Sequence, residues 1–573
     1  MLETDERDSG MLCDWERRVQ RARRELCWPE APQRAIPHRT GASLALAAPA
    51  DQLFTATEVN EWALCAALAE RDPVRSASLI AALAVEQPEE VEPPVLDEAG
   101  ALLRLRRRAA REAKPRLRAL LEAAAMRDLP CLCDDEFLTL GAGAGGRGWP
   151  LGDLPDAADV PWSELHGIPT ALVTGTNGKT TVVRLIAACA KAAGHAAGHC
   201  CTDGVFVAGQ PLGTGDYSGP AGARRVLRDT RVEAAILETA RGGILRRGLA
   251  VARADVAVIT SIAADHFGEF GVHDLAALAE VKLAVARAIG RDGLLVVNAD
   301  DAVLARAAPS AGKPLAWFAI DADLPLLAAH CRAGGAAAGA RDGRLLLAFR
   351  GGEHDLGEIA AMPLAAGGHS LFNVSNLAAA SLAAAGLGIE PASIAAVFAQ
   401  FGANPGDNAG RLMRYELGGL NLIVDFAHNP TALAGLVDFA QHLRSGGRLA
   451  LLLGQAGNRE DTDIDRLAAV AAAARPDLVV VKELGSYLRG RGGGEVPAIL
   501  RRALAQAGVA DSSIADAPDE DRAVRRALAW ARAGDVLVLP LHSREGRGRA
   551  LGLIEQLRRE GWRAGRPLPE GNP

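Results

Sequence analysis

Residues 170–191 read TALVTGTNGKTTVVRLIAACAK. The apolar run Ala171-Leu172-Val173 ends in Thr174-Gly175-Thr176-Asn177-Gly178-Lys179-Thr180-Thr181, and an apolar-periodic helical pattern follows at once. That order is strand, small-residue loop, helix. Gly175, Thr176, Asn177 and Gly178 are small enough for backbone N–H groups to approach phosphate oxygens closely, and the positive end of the new helix points at the same place. Lys179 can reach terminal phosphates as a point charge, and the hydroxyl of Thr180 or Thr181 can ligate Mg2+. A complete phosphate-loop pattern has Gly at position 173. Val173 stands there, so the loop is a shortened variant.

Outward from this loop the composition sets bounds. A chain of 573 residues is too long for one core, and typical domain sizes suggest about three or four domains. Apolar content of 49% with few aromatics indicates a globular protein. A net charge of −7 gives no reason to expect a nucleic-acid partner. The nine cysteines (13, 27, 65, 131, 133, 189, 200, 201 and 331) are odd in number and contain no Cys-x-x-Cys. That pattern predicts reduced thiols in a cytoplasm and no structural zinc. The acidic opening MLETDERDSG is unlike a signal peptide, and no uninterrupted apolar run is long enough to cross a bilayer. A cytoplasmic protein without a membrane partner is the expectation.

The chain divides into three parts. Residues 1–165 form an N-terminal domain of undetermined fold, suited to substrate or partner binding. Helical patterns at 57–86 lead into the acidic, proline-containing connector 86–94. A basic segment from Arg104 to Arg118 can hold an anion, but a solvated helix face with Leu on its inner side is the simpler reading. The Gly-rich stretch in DDEFLTLGAGAGGRGW (134–149) is expected to be a flexible interdomain segment, since no Lys follows and Pro150, Pro155, Pro161 and Pro169 come next. From 166 to 402, strands at 171–174, 234–239, 255–260, 293–298 and 345–349 alternate with helical patterns. That implies an α/β domain with a central, largely parallel sheet. From 403 to 573 the pattern restarts with strands at 422–425, 449–453, 478–482 and 535–540, a second, smaller α/β domain of Rossmann type. Ligands in such sheets bind beyond the carboxyl ends of the strands.

Further candidates cluster at predicted strand ends. Glu238, in LETARGGILRRG, can hold the Mg2+ that bridges nucleotide phosphates, and Arg241, Arg246 and Arg247 can bind a substrate carboxylate. Asp265-His266 follows another strand, and Lys282 lies in the predicted helix AEVKLAVARAIG. Asn373 and Asn376, after Phe372 at a helix start, can read adenine edges or cap the helix. Arg411 and the run Asp425-Phe426-Ala427-His428-Asn429-Pro430 can close over a nucleotide from the far side.

Taken together, TGTNGKTT, LETARGGILR, AADH, NADD at 298–301, FNVSNLAAA, the Gly410-Arg411 pair and DFAHNP resemble the Mur ligase family, over about residues 165–545. CTDGVFV (201–207), ETARGGILRRGL and KELGSYLRGRGGGE (482–495) resemble its cyanophycin synthetase branch, in particular the C-terminal, Mur-type half of that enzyme. The resemblance implies an ATP-dependent carboxylate–amine ligase working through an acyl phosphate and releasing ADP and phosphate. The substrates would be a small-molecule or peptide carboxylate and an amino acid or other amine; a homo-oligomer is compatible with it. By position, the resemblance implies that Gly175 to Thr181 cradle ATP, with Lys179 on the β- and γ-phosphates. Thr180 and Glu238 would hold one Mg2+, and His266 a second, supported by Lys282 if carbamylated. Phe372, Asn373 and Asn376 would take adenine; Arg411, Asp425 and His428 would take γ-phosphate and ribose. Two departures stand out. About 165 residues precede the Mur-like core, too few for the ATP-grasp module that cyanophycin synthetase carries there, and the cysteine-rich insert of amidotransferase-coupled Mur ligases is absent. Two other readings fit the same residues: a nucleotide-binding regulatory or scaffold subunit, with 1–165 as its partner-binding part, and a folylpolyglutamate-like ligase.

Overall fold

The structure is a computed structural model that describes residues 2–5, 8–38, 41–86, 97–265 and 267–569. The expected connector therefore falls, over residues 87–94, outside the described residues. The chain forms two compact units, one of Met1–Gly141, Arg147–His166 and Gly268–Val272, the other of Ala142–Gly146, Gly167–Phe267 and His273–Pro573.

The smaller unit packs helices Ser9–Glu25, Leu53–Ala69 and Glu98–Glu112 on a three-stranded antiparallel sheet, in the order Leu2–Thr4, Gly41–Leu46, Gln33–His38. Its core holds Trp15, Val59, Trp62 and Leu105, none measurably exposed. Trp15 donates its indole N–H to Asn60 Oδ1 (2.8 Å), so the buried ring leaves no orphan donor. The basic segment lies on two helices, Glu98–Glu112 and Pro115–Met126, with Leu102, Leu105, Leu117 and Leu120 turned inward. Arg108 pairs with Glu58 (3.1 Å) and Arg106 with Glu25. Arg104, Arg106, Arg108, Arg116 and Arg118 are each paired with a carboxylate of their own unit, which favours the solvated-face reading over an anion site.

The Gly-rich stretch departs from expectation. Gly143–Gly145 is a turn of 3-10 helix with Gly143 and Gly145 buried. Gly143 sits at φ +53, and a Cβ there would lie 2.2 Å from the carbonyl oxygen of Val232. The glycines serve close backbone packing; they are not a flexible tether.

The larger unit carries two sheets. The first has eleven strands. Seven run parallel in the order Ala197–Cys201, Ala234–Glu238, Thr170–Thr174, Ala254–Ile259, Ile289–Asn298, Leu315–Asp321, Ala336–Arg341. Antiparallel strands extend both edges, Gly204–Val207 and Gln210–Thr214 on one side, Arg344–Phe349 and Gly352–Glu358 on the other. The central strands read as near-continuous apolar runs because both faces are covered. Helices Lys179–Ala192 and Leu371–Gly386 pack together over one face, and the second buries nearly every residue from Val374 to Ala385. The second sheet has six strands in the order Met413–Leu417, Leu420–Asp425, Val536–Pro540, Leu449–Leu453, Leu478–Lys482, Ile514–Ala517, all parallel except the first. Helices cover both of its faces, as in a Rossmann-type layer. All nine cysteines are free thiols. Among the described residues no helix is long and apolar enough to cross a membrane.

Candidate functional site

The loop after Thr170–Thr174 opens at the carboxyl end of the first sheet. Gly178 caps the helix Lys179–Ala192 in the left-handed region (φ +85), which L side chains avoid. A Cβ at Gly178 would lie 2.3 Å from Asn376 Oδ1, so the loop needs glycine for space as well as for shape. Lys179 folds back and donates from Nζ to Thr176 O (2.9 Å). Thr180 points from the first helical turn toward the neighbouring strand end and donates to Glu238 Oε2 (2.9 Å). Glu238 is 1% exposed, and its other oxygen accepts from Thr202 Oγ1 (3.0 Å). Thr181 turns away, its hydroxyl taking a hydrogen bond from Asn408 Nδ2 (3.2 Å). Between the two threonines, the structure thus puts Thr180 beside the carboxylate.

The second sheet supplies the opposite wall. Arg411 reaches across to Thr180 Oγ1 with Nη2 (3.3 Å) and stacks its guanidinium 4.6 Å from the centre of the Phe426 ring. Its Nε is buried without a hydrogen-bond acceptor. Asn177 and Asn429 exchange amide hydrogen bonds in both directions (2.9 and 3.3 Å), and Asn429 also caps Pro430–Leu443 by accepting from Ala432 N (2.9 Å). Asp425 ends its strand with both oxygens accepting backbone N–H groups, from Leu412 and Ala427 (2.7 Å each). Burial raises its carboxyl above the usual range, against the pull of Arg411 and those N–H groups. Farther out, Asp203 lies between Arg184 of the first sheet's helix (2.8 Å) and Arg547 of the last helix (2.6 Å). These contacts tie the two sheets together around a cavity of about 350 Å³.

Thr176, Asn177, Gly178, Lys179, Thr180, Thr181, Glu238, Phe372, Asn373, Asn376, Arg411, Asp425 and His428 all line that cavity. Gly175 is not among the lining residues; it sits at φ +141, and a Cβ there would lie 1.9 Å from Thr260 Oγ1. Asn373 and Asn376 are not caps, since Ser370 holds the cap position of Leu371–Gly386. Asn376 Nδ2 donates to Asn373 Oδ1 (3.1 Å), whose amide donates to Leu364 O (3.1 Å). Lys282, 3% exposed in Leu275–Leu283, is not among the lining residues. Burial pushes its ammonium well below its ordinary value; Lys179 and Arg241 push the same way, against Asp265 and Glu238. His266 lies outside the described residues. Asp265 beside it is paired with Arg459 (2.7 Å) from the second sheet's side, with His428 Nε2 at 3.7 Å.

Sequence reasoning missed Arg459 and gave Thr202, Asn298 and Asp300 no role of their own; it named Asn429 only within the run 425–430 expected to close over a nucleotide. Thr202, Asn298 and Asp300 line the cavity, and Asn429 and Arg459 hold its two sides together. Thr202 lay in CTDGVFV, Asn298 and Asp300 in NADD, and Asn429 in DFAHNP. The signal was present as strand-end polar residues. Which of them face inward depends on strand order, which the sequence does not spell out.

Two family matches cover this architecture: the Mur ligase middle domain over residues 173–384, and the Mur ligase glutamate ligase domain over 410–540. A UDP-N-acetylmuramoyl-L-alanyl-D-glutamate--2,6-diaminopimelate ligase of Xanthomonas campestris is 31% identical over 419 residues, 68% of this chain and 78% of that one. The chain belongs to the Mur ligase family. Cyanophycin synthetase of Trichormus variabilis is 36% identical over 396 residues, which is 69% of this chain and 43% of that protein. The chain thus spans less than half the length of that cyanophycin synthetase. The fold is also that of E. coli FolC, solved in complex with DHPP and ADP (TM-score 0.51, 22% identity, 68% of this chain and 89% of that one).

Proposed function

We propose that this chain is an ATP-dependent carboxylate–amine ligase. A substrate carboxylate oxygen attacks the γ-phosphorus of ATP and ADP leaves. An amine then attacks the acyl phosphate carbon, phosphate leaves, and the nitrogen gives up its proton as the amide forms. The observation that carries this reading is the meeting of three elements at one hydroxyl. Thr180 Oγ1 lies 2.9 Å from Glu238 and 3.3 Å from Arg411, with Lys179 on the preceding residue.

The residues fit that chemistry. Among the described residues no group of three or more His, Cys, Asp or Glu gathers into a metal site. What Thr180 and Glu238 offer is one hydroxyl and one carboxylate, the sparse all-oxygen set that suits Mg2+ bound largely by water and phosphate oxygens. Bound there, Mg2+ would offset charge on the transferring phosphoryl group. Lys179 and the Gly175–Thr181 backbone would hold the phosphates. The unpartnered Nε–H of Arg411 and the His428 ring would approach the γ-phosphate from the second sheet. Phe372, Asn373 and Asn376 would form the adenine end, and Asp425 the ribose contact. Lys282 and His266 would support a second Mg2+; burial favours the neutral amine of Lys282, the form that reacts with carbon dioxide to give a carbamate. The substrates would be a small carboxylate or peptide and an amino acid. The two walls would exclude water that otherwise hydrolyses the acyl phosphate.

The test is release of ADP and phosphate with ATP, Mg2+ and pooled cell metabolites, with amide products read by mass spectrometry. Release should require both an acceptor and an amine, and Lys179→Ala should abolish it. Full release without either, or normal turnover in Lys179→Ala, would defeat the proposal.

A further inference from the structure

The loop Phe426-Ala427-His428 has no regular partner strand, yet each of its three carbonyl oxygens is met by a side chain. Phe426 O faces His428 Nδ1 (3.1 Å), Ala427 O faces His542 Nε2 (2.9 Å), and His428 O accepts from Gln455 Nε2 (2.9 Å). The middle contact has the deepest support. A carbonyl only accepts, so His542 carries its proton on Nε2 and presents Nδ1 as an acceptor. Lys482 Nζ lies 3.4 Å from that Nδ1.

Lys482 ends the strand Leu478–Lys482 with no exposed surface. Its ammonium donates to Glu520 Oε1 (2.6 Å) and to the carbonyl of Pro540. Glu520 also accepts from His542 N (2.6 Å) and Ser543 N (2.9 Å), and so holds the loop that follows Val536–Pro540. Burial keeps the His542 ring neutral, with its pKa down to about 3, and Lys482 pushes the same way. A neutral ring is what the donor-and-acceptor role requires.

A buried ion pair of this kind adds little net stability, because desolvation offsets the attraction. What it adds is direction. Phe426 stands edge-on to both His542 (5.7 Å) and His428 (5.3 Å), and its face carries the Arg411 guanidinium. Lys482, His542, Phe426, Arg411 and Thr180 thus form one continuous path of contacts from the interior of the second sheet to the hydroxyl beside Glu238.

We propose that Lys482, Glu520 and His542 form a buried brace that positions the Phe426–His428 loop, and through Phe426 the Arg411 guanidinium, against the bound nucleotide. The three are positioning residues. The inference rests on the nucleotide reading above but is tested separately from it.

The experiment compares binding of a non-hydrolysable ATP analogue with Mg2+, by calorimetry, with thermal unfolding in the absence of nucleotide, on the full chain. His542→Ala removes the donor to Ala427 and should weaken binding of the ATP analogue, whose γ-phosphate would face Arg411 and His428, about tenfold, the effect of one lost hydrogen bond in the site. His542→Gln supplies an amide N–H for Ala427 and an oxygen for Lys482 and should recover most of that loss. Lys482→Met combined with Glu520→Gln removes both charges together, leaves no unpaired ion, and should weaken binding like His542→Ala; this variant serves if His542→Ala fails to fold. Wild-type affinity in both the alanine variant and the paired variant overturns the brace. So does a loss that tracks unfolding in all variants with no recovery by glutamine. A wild-type protein that binds neither the ATP analogue nor ADP would defeat the nucleotide reading instead.

Discussion

Replacing Gly178 by Ala places a methyl group where Asn376 already sits. The new Cβ would lie 2.3 Å from Asn376 Oδ1 and 3.3 Å from its Cγ, against an ordinary carbon contact of about 3.5–4 Å. Asn376 must withdraw, and it is 7% exposed, so the bond it donates to Asn373 cannot be replaced by bulk water. An unsatisfied buried amide costs about 1–3 kcal/mol. The backbone at φ +85 adds about 1–2 kcal/mol for any residue with a Cβ. The substitution should therefore destabilise the protein by about 2–5 kcal/mol and also move the wall assigned to adenine. Gly194→Ala is the control. Gly194 has nearly the same backbone (φ +91) with no heavy atom within 4 Å of the added carbon, so it should lose only the backbone part, about 1–2 kcal/mol. Urea unfolding of both variants gives the difference, and calorimetry with Mg2+-ADP gives its functional side. Gly178→Ala should bind at least tenfold more weakly and Gly194→Ala as wild type. If the two variants match in stability and in ADP affinity, the argument from close approach is wrong.

Other consequences can be checked in the same protein. Asn429→Ala removes the paired amide contact with Asn177 and a helix cap, and should cost about 1–2 kcal/mol in urea unfolding and weaken Mg2+-ADP. An unchanged affinity would separate this pair from the nucleotide site. His199 is half-buried and stacks on Phe206, and desolvation, with the nearby Arg184 cation, lowers its pKa to about 4. The unfolded chain then binds the extra proton, so stability present above about pH 6.5 is lost as pH falls toward 4, by about 3 kcal/mol. His199→Phe should remove that slope from a stability–pH curve, and a wild-type slope in the variant would contradict the assignment. At Asp203, burial raises the carboxyl, but Arg184, Arg411 and Arg547 outweigh it and hold it below the ordinary value. Its stabilisation is thus full above about pH 4 and falls away below, as the folded-state group protonates. Asp203→Asn should flatten that acid limb, and an identical limb would show that its pairing with Arg184 and Arg547 does not set it.

The two α/β layers were legible because their central strands, such as Leu449–Leu453 and Val536–Pro540, are apolar runs bounded by polar turns. Ala197–Cys201 and Ala336–Arg341 were missed for the opposite reason. AGHCC and AAAGAR carry weak strand propensity, and only their place beside already formed strands makes them pair. Met413–Leu417 is an edge strand that alternates exposed and buried residues, a short signal beside its strongly apolar neighbour. At the site, Lys179, Thr180 and Glu238 could be read from the loop and a strand end. The roles of Asn429, Arg459 and Lys482 could not, because their partners lie 252, 194 and 60 residues away in sequence and meet only through the fold. The basic run Arg104–Arg118 shows the reverse: a conspicuous sequence feature whose partners, Glu58 and Glu25, make it structural.

The most direct test of the central claim follows oxygen. A carboxylate acceptor found in the metabolite screen is labelled with heavy oxygen on both carboxyl positions and turned over with ATP, Mg2+ and its amine. An acyl phosphate passes one labelled oxygen to the departing phosphate and keeps the other in the amide. The account predicts one heavy oxygen in each phosphate released. Amide and ADP formed alongside unlabelled phosphate would contradict it.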